Sequence, residues 1–244
     1  MVKILVLLMF GILLANATAA QNHFETDHLS TSASDLTITC IGHGTLMFTF
    51  QDYSIHVDPY GMLADYATLP NADLIFITHD HGDHLDPDAI DQIRTEDTIV
   101  ILPEVCADRV EGGLIMHNGD VQTVLGIKIE AVPAYNIVHK RDNGQPYHPK
   151  GVGNGYIFTF GDRRVYVAGD TENIPEMNAL QGIDVAFLPM NLPYTMTPEM
   201  VADAARTFTP DILYPYHYGE TDASKLVDAL KDAENIEVRI RNMQ

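Results

Sequence analysis

Hydrophobic positions along this chain come mostly in short runs bounded by turn residues, the pattern of β-strands, and only a few stretches carry the wider spacing of an amphipathic helix. The first strands are Leu36 to Cys40, Leu46 to Phe50 and Tyr53 to Val57, the last two joined through Gln51-Asp52 as a hairpin. Asp73 to Ile77 is apolar after its first residue, as a buried strand requires. Thr98 to Leu102 follows, then one or two strands between Val121 and Val132. A second hairpin, Tyr156 to Phe160 and Arg164 to Val167, turns at Gly161-Asp162, and strands at Asp184 to Leu188, Ile212 to Tyr216 and Ile236 to Ile240 complete the set. Helices are predicted from Pro87 to about Ile93 with Asp86 as the cap, from Pro103 to Val110, from Thr197-Pro198 to Thr207, and from Ala223 to Ala233. The two halves share an order of strands followed by helix and strand units, so the class is α/β. His56, between Ile55 and Val57, reads as the polar face of its strand.

One stretch concentrates chemistry. Thr78-His79-Asp80-His81-Gly82-Asp83-His84 follows directly on the Asp73 to Ile77 strand, so a tight turn at a strand's end can aim several imidazoles and a carboxylate at one point. Neutral imidazole nitrogen and carboxylate oxygen suit zinc, manganese and iron. The H-x-H-x-D-H spacing is far more specific than a His-rich solvated loop would produce. His43, in Gly42-His43-Gly44, and Asp58, before Pro59, also close strands, although turn chemistry accounts for them equally well. Between Pro133 and Gly155 lies a long loop rich in Pro, Gly and His, of a length that compact domains usually reserve for function, and it reads as an active-site wall. It carries Lys140, Arg141 and Lys150, a local positive charge that solvation or a phosphate or carboxylate on a substrate would explain.

His79-x-His81-x-Asp83-His84 resembles the signature of the metallo-β-lactamase superfamily, and the likeness continues through Ala168-Gly169-Asp170-Thr171 and Pro215-Tyr216-His217-Tyr218. With Leu188-Pro189 and Tyr194-Thr195-Met196-Thr197-Pro198-Glu199, the wording is most similar to the branch containing ascorbate-6-phosphate lactonase and N-acyl phosphatidylethanolamine phospholipase D. The resemblance implies an αββα sandwich of two mixed β-sheets with helices on both outer faces, spanning residues 36–244. It implies two divalent metal ions, zinc before manganese or iron. His79 and His81 would belong to one, Asp83 and His84 to the other, with Asp170 bridging and His217 completing the second. Asp83 is also the candidate catalytic residue, and Asp58 would lie beneath the ligands. Asn136 stands where the phospholipase-like relatives place a histidine, the third ligand of the first metal. An asparagine amide is a weak neutral ligand, so His148 is taken as the missing one, with His139 as the alternative and Asn136 holding a water or the loop. Tyr135, Tyr194, Met196 and Tyr218 could line a substrate pocket or simply pack.

Two cations close together would lower the pKa of a bridging water toward ~7. The implied activity is therefore a hydrolase whose metal-bound hydroxide opens a lactone or cleaves a phosphodiester or related ester. The alternative is a noncatalytic metal-binding or ligand-sensing protein on the same fold. Serine hydrolase chemistry is disfavoured, because there is no G-x-S-x-G and neither Ser54 nor Ser224 has a suggestive setting.

Composition narrows the setting. The chain has 244 residues, 46% of them hydrophobic, enough for a substantial core. A formal charge of −20 repels polyanions, which disfavours nucleic acid and leaves a small molecule as the expected substrate, with oligomerisation open. Lys3, an apolar run from Ile4 to Leu14 and an A-x-A pattern at Ala17 to Ala19 read as a secretory signal over residues 1–20, its apolar core of ~11 residues falling short of the ~20 that span a bilayer, with an uncleaved anchor as the alternative. The mature protein would then be periplasmic or extracellular, with no stable membrane insertion, and its first residue reads this directly. Residues 21–35 are polar and aperiodic, and read as a flexible lead-in. Cys40 and Cys106 fit no metal-ligand pattern and are expected as buried free thiols.

Overall fold

The computed structural model describes residues 24–244. The expected leader, residues 1–20, lies outside them. Two seven-stranded sheets form the framework of the described residues. The first places β1 (Glu25–Leu29), β2 (Leu36–Gly42), β3 (Thr45–Phe50), β4 (Tyr53–Val57), β5 (Leu74–Phe76), β6 (Ile99–Leu102) and β7 (Leu114–Ile115) side by side in chain order. Pairing is antiparallel up to β4 and parallel beyond it. The second sheet repeats the plan with β8 (Val121–Val124), β9 (Ile127–Ala134), β10 (Gly153–Phe160), β11 (Arg163–Val167), β12 (Val185–Pro189), β13 (Ile212–Tyr216) and β14 (Glu237–Val238). Here the change from antiparallel to parallel falls at β11. Such change points open a crevice beyond the carboxyl ends of the strands. Asp58 directly follows β4, and Asp170 lies just past β11.

Side-chain alternation sets the layers. In β5, Leu74 and Phe76 join the core between the sheets, while Ile75 and, one step on, Ile77 face outward against Ala89, Ile90 and Ile93 of α1 (Pro87–Ile93). Between the sheets, Phe76 meets Phe158 edge-on at 4.7 Å, and Phe48 lies 5.7 Å from Phe158 and 6.3 Å from Phe187. α2 (Pro198–Phe208) covers the outer face of the second sheet, where Phe208 meets Tyr166, and α3 (Ser224–Ala229) packs beside α2. The αββα arrangement expected from the sequence is the one observed. Helix starts follow their caps: Asp86 Oδ1 accepts from the N–H groups of Asp88 and Ala89, Thr197 Oγ1 accepts from Met200, and each is followed by proline. No helix among the described residues is long and apolar enough to cross a membrane. Cys40 and Cys106 are buried and unpaired, and burial pushes both thiols up to about 12.

Three expectations need correction. The lead-in is not flexible throughout, because Glu25–Leu29 forms edge strand β1, held by pairing with β2 and by an ion pair from Arg241 to Asp27 at 2.7 Å. The helix expected over 103–110 is a single 3-10 turn, Glu104–Cys106. Arg109 reaches instead to the carbonyls of Asp80 and Leu85, so tertiary hydrogen bonds, not a helical ladder, hold that segment. His56 is fully buried rather than on a polar face, with its ring 6.1 Å from Tyr66 and its Nε2 3.2 Å from the Pro70 carbonyl.

Burial depresses the His56 pKa to about 4, only partly offset by the Pro70 carbonyl. The unfolded chain therefore takes up a proton first as the pH falls, and stability that is full above pH 6.5 is lost between 6.5 and 4. Wild type should lose about 2 kcal/mol more than a His56→Leu variant between pH 7 and pH 5. Urea unfolding at the two pH values measures this, and equal losses in the two proteins would contradict it.

Candidate metal centre

Asp58 turns through a left-handed backbone conformation at φ 48°. Its buried carboxylate accepts hydrogen bonds from Thr78 N at 2.8 Å, Thr78 Oγ1 at 2.6 Å and His84 Nδ1 at 2.8 Å. One side chain thus pins both ends of the 78–84 turn and leaves His84 Nε2 facing inward. From the other sheet, Gly169, at φ 65°, lets the chain pass so close to the Asn154 carbonyl that a Cβ there would sit 2.8 Å away, and Asp170 follows it. His217 follows β13 at φ 46°. His43, Asp58 and His217 are three of the six non-glycine residues with positive φ among the described residues, a strain of about 1 to 3 kcal/mol each that clusters at functional sites.

These strand ends bring four imidazoles onto one carboxylate. Asp170 Oδ2 lies 3.3 Å from His148 Nε2, 3.5 Å from His217 Nε2 and 3.9 Å from His79 Nε2, and its Oδ1 lies 3.6 Å from His84 Nε2. His81 joins them with its ring 4.6 Å from that of His79 and 4.9 Å from that of His148. Asp83 Oδ2 lies 3.8 Å from His84 Nε2 and 3.6 Å from His217 Nε2. Two ligands each about 2.1 Å from one ion stand roughly 3 to 4 Å apart, so these separations suit a shared cation better than direct hydrogen bonds. Nε2 of His79, His84, His148 and His217 and Oδ1 of Asp170 are all buried without a hydrogen-bond partner among the described residues. Buried polar atoms are seldom left that way, and here all five converge. Three groups among the described residues could each hold a metal ion: His79 with His81, His148 and Asp170; His84 with Asp170 and His217; and His43 with Asp83 and His217.

Burial pushes His79, His81 and His217 below the usual histidine range, the neutral form a metal needs. Burial opposes ionisation of Asp170 and Asp83, but neighbouring histidines hold both carboxyls well below the usual range. His84 is the exception: burial alone would lower it, yet the carboxylates of Asp170 and Asp58 raise it to about 9. A metal binding there must displace that proton.

The long loop supplies His148. Asn136 Oδ1 accepts from both the backbone N–H of His148 at 2.8 Å and its Nδ1 at 2.6 Å, so Asn136 aims the ring instead of joining the cluster. His139 turns away, its Nδ1 2.9 Å from Glu172. Glu172, which the sequence reading passed over, accepts the backbone N–H groups of Ile137, Val138 and His139 and the side chain of Asn136. Its place two residues after Asp170 was the available signal. Asn191, also missed, lies 3.3 Å from His217 Nδ1.

Above the cluster is a cleft of about 450 Å³ walled by Arg141, Tyr147, Asn191 and Tyr194, with Asp83 and Asp170 on its floor. Tyr194 lines this cleft; Tyr135 and Tyr218 do not. The Tyr135 hydroxyl donates to Glu176 at 2.8 Å, and that of Tyr218 donates to the Arg241 carbonyl. Met196 is fully buried in the core. Of the three loop cations, Arg141 reaches the cleft, where it lies over the Tyr147 ring, while Lys150 pairs with Glu176 at 2.6 Å.

Residues 37–217 match the family model of the beta-lactamase superfamily domain. The chain belongs to the metallo-β-lactamase superfamily. It is 30% identical to a UPF0173 metal-dependent hydrolase of Methanopyrus kandleri over 75% of this chain and 84% of that one. Among solved structures it is similar to a protein of Parabacteroides distasonis proposed to be a metal-dependent hydrolase, with 53% identity, a TM-score of 0.87 and coverage of 91% of this chain and 100% of that one. It is also similar to Igni18, a metallo hydrolase from Ignicoccus hospitalis, at 26% identity and a TM-score of 0.70 over 84% of this chain and 94% of that one.

Proposed function

We propose that this protein is a metal-dependent hydrolase with two divalent cations. The first would be held by His79, His81 and His148, the second by Asp83, His84 and His217, with Asp170 shared between them. The observation that carries the reading is the convergence of five buried, unpartnered imidazole and carboxylate atoms. Zinc is the first choice, then manganese or iron, because the donors are imidazole nitrogens and carboxylate oxygens. Bound cations would supply Lewis acidity and a water of lowered pKa.

The chain's own groups do the rest. Asp58 fixes the His84 ring, and Asn136 fixes that of His148. Asp83 stays ionised on the floor of the cleft, with Oδ2 placed to accept a proton there. Tyr147 and Tyr194, packed edge to face at 5.0 Å, restrict water on one side. Arg141 is the cleft's single Lys or Arg side chain among the described residues, placed for a substrate phosphate or carboxylate. With the likeness to the lactonase and phospholipase branch, this favours a lactone, a phosphodiester or a related ester as the bond cleaved. Export through a cleaved leader is part of the same proposal.

The purified protein should contain two equivalents of metal by elemental analysis and hydrolyse a generic lactone or aryl phosphodiester. Chelation should abolish that turnover and metal should restore it. Metal without turnover of any ester would turn the reading to a noncatalytic metal-binding role, and absence of metal at reconstitution would end it.

A further inference from the structure

We infer that the Gly42-His43-Gly44 turn is a positioning element for the second metal position, and that His43 holds Asp83 and His217 in their ligating poses without being a ligand. The inference rests on the two-position reading above.

The turn between β2 and β3 touches each of the three residues assigned to that position alone. His43 Nε2 lies 3.0 Å from Asp83 Oδ2, a hydrogen-bond distance. Its ring lies against that of His217, with centroids 3.7 Å apart, and its carbonyl accepts the His217 backbone N–H at 2.9 Å. Gly44 lies against the third residue: a Cβ there would stand 2.6 Å from His84 Cε1, so only glycine lets the backbone approach that ring. The first group has a different support, with Thr78 Oγ1 2.9 Å from His79 Nδ1 and Asn136 behind His148.

One feature separates His43 from the ligands it serves. Nε2 of His84 and of His217 has no hydrogen-bond partner among the described residues, whereas that of His43 is engaged with Asp83. His43 also keeps a left-handed backbone at φ 49°, which turns its ring and its carbonyl toward the same neighbour. Groups that orient a ligand from behind typically contribute 10 to 100-fold in metal affinity, and this turn orients two ligands and crowds a third.

The test is zinc titration of the metal-free full-length chain, by calorimetry and elemental analysis, for wild type, His43→Ala and His43→Gln, with circular dichroism to compare their folds. Wild type should take two equivalents. His43→Ala should bind the first as wild type does and the second about 10 to 100-fold more weakly. His43→Gln should recover most of that loss, because its amide N–H can still reach Asp83. Unchanged binding in His43→Ala beside a two-equivalent wild type overturns this inference alone, as does equal weakening of both equivalents. A glutamine variant as weak as the alanine variant overturns it in favour of His43 as a ligand. A wild type that takes one equivalent overturns the two-position reading and this inference with it.

Discussion

Asp170→Ala should cost more than 100-fold in metal affinity and remove measurable hydrolysis, the largest loss expected of any single change to the centre. Its two oxygens lie 3.3 to 3.9 Å from Nε2 of His148, His217, His84 and His79, so both groups of ligands lose a member together. Groups that merely orient a ligand contribute 10 to 100-fold, and a carboxylate common to both groups should exceed that range. Asp170→Asn separates shape from charge: it keeps the volume, yet its neutral amide oxygen is a poor ligand, so it should resemble the alanine variant. Asp58→Asn should be milder, about 10 to 100-fold, because Asp58 reaches the centre only through His84 and Thr78. Elemental analysis after dialysis, with the rate on the best ester found, measures all three. Two equivalents of metal and an unchanged rate in Asp170→Ala would defeat the dinuclear reading.

Most of the strands were legible in the sequence because both sheets are built from short apolar runs whose ends bear the chemistry. Asp58, His79 to His84, Asp170 and His217 all sit where a strand stops, and strand stops are visible as a change from apolar to turn residues. What escaped was whatever depends on a distant partner. β1, Glu-Thr-Asp-His-Leu, has no apolar run of its own and forms because Asp27 finds Arg241 and Tyr214 more than 180 residues away. His56 looked like a solvent-facing residue by alternation, but the face it occupies is covered by the segment bearing Tyr66 and Pro70. His43 read as turn chemistry, and in backbone terms it is; its link to Asp83 crosses 40 residues and its ring contact with His217 crosses to the other sheet. Glu172 was hidden by its neighbours, because Asp170 drew the attention that a buried carboxylate with three backbone donors also warrants.

His148→Ala should lose the first metal equivalent, His139→Ala should keep it, and Asn136→Ala should fall between, about 10 to 100-fold weaker. The order follows from where the three side chains point. Only His148 presents a buried, unpartnered nitrogen toward Asp170, His79 and His81. Asn136 grips His148 at both its backbone N–H and its Nδ1 and is itself gripped by Glu172 and the Tyr194 carbonyl, so truncating it frees the ring to rotate while leaving a ligand present. His139 faces Glu172, and its loss loosens the loop without removing a donor from the centre. Zinc titration of the three metal-free variants decides the matter. If Asn136→Ala alone loses metal, the ligand is the amide and not His148; if none does, the first position needs no third side chain from this loop.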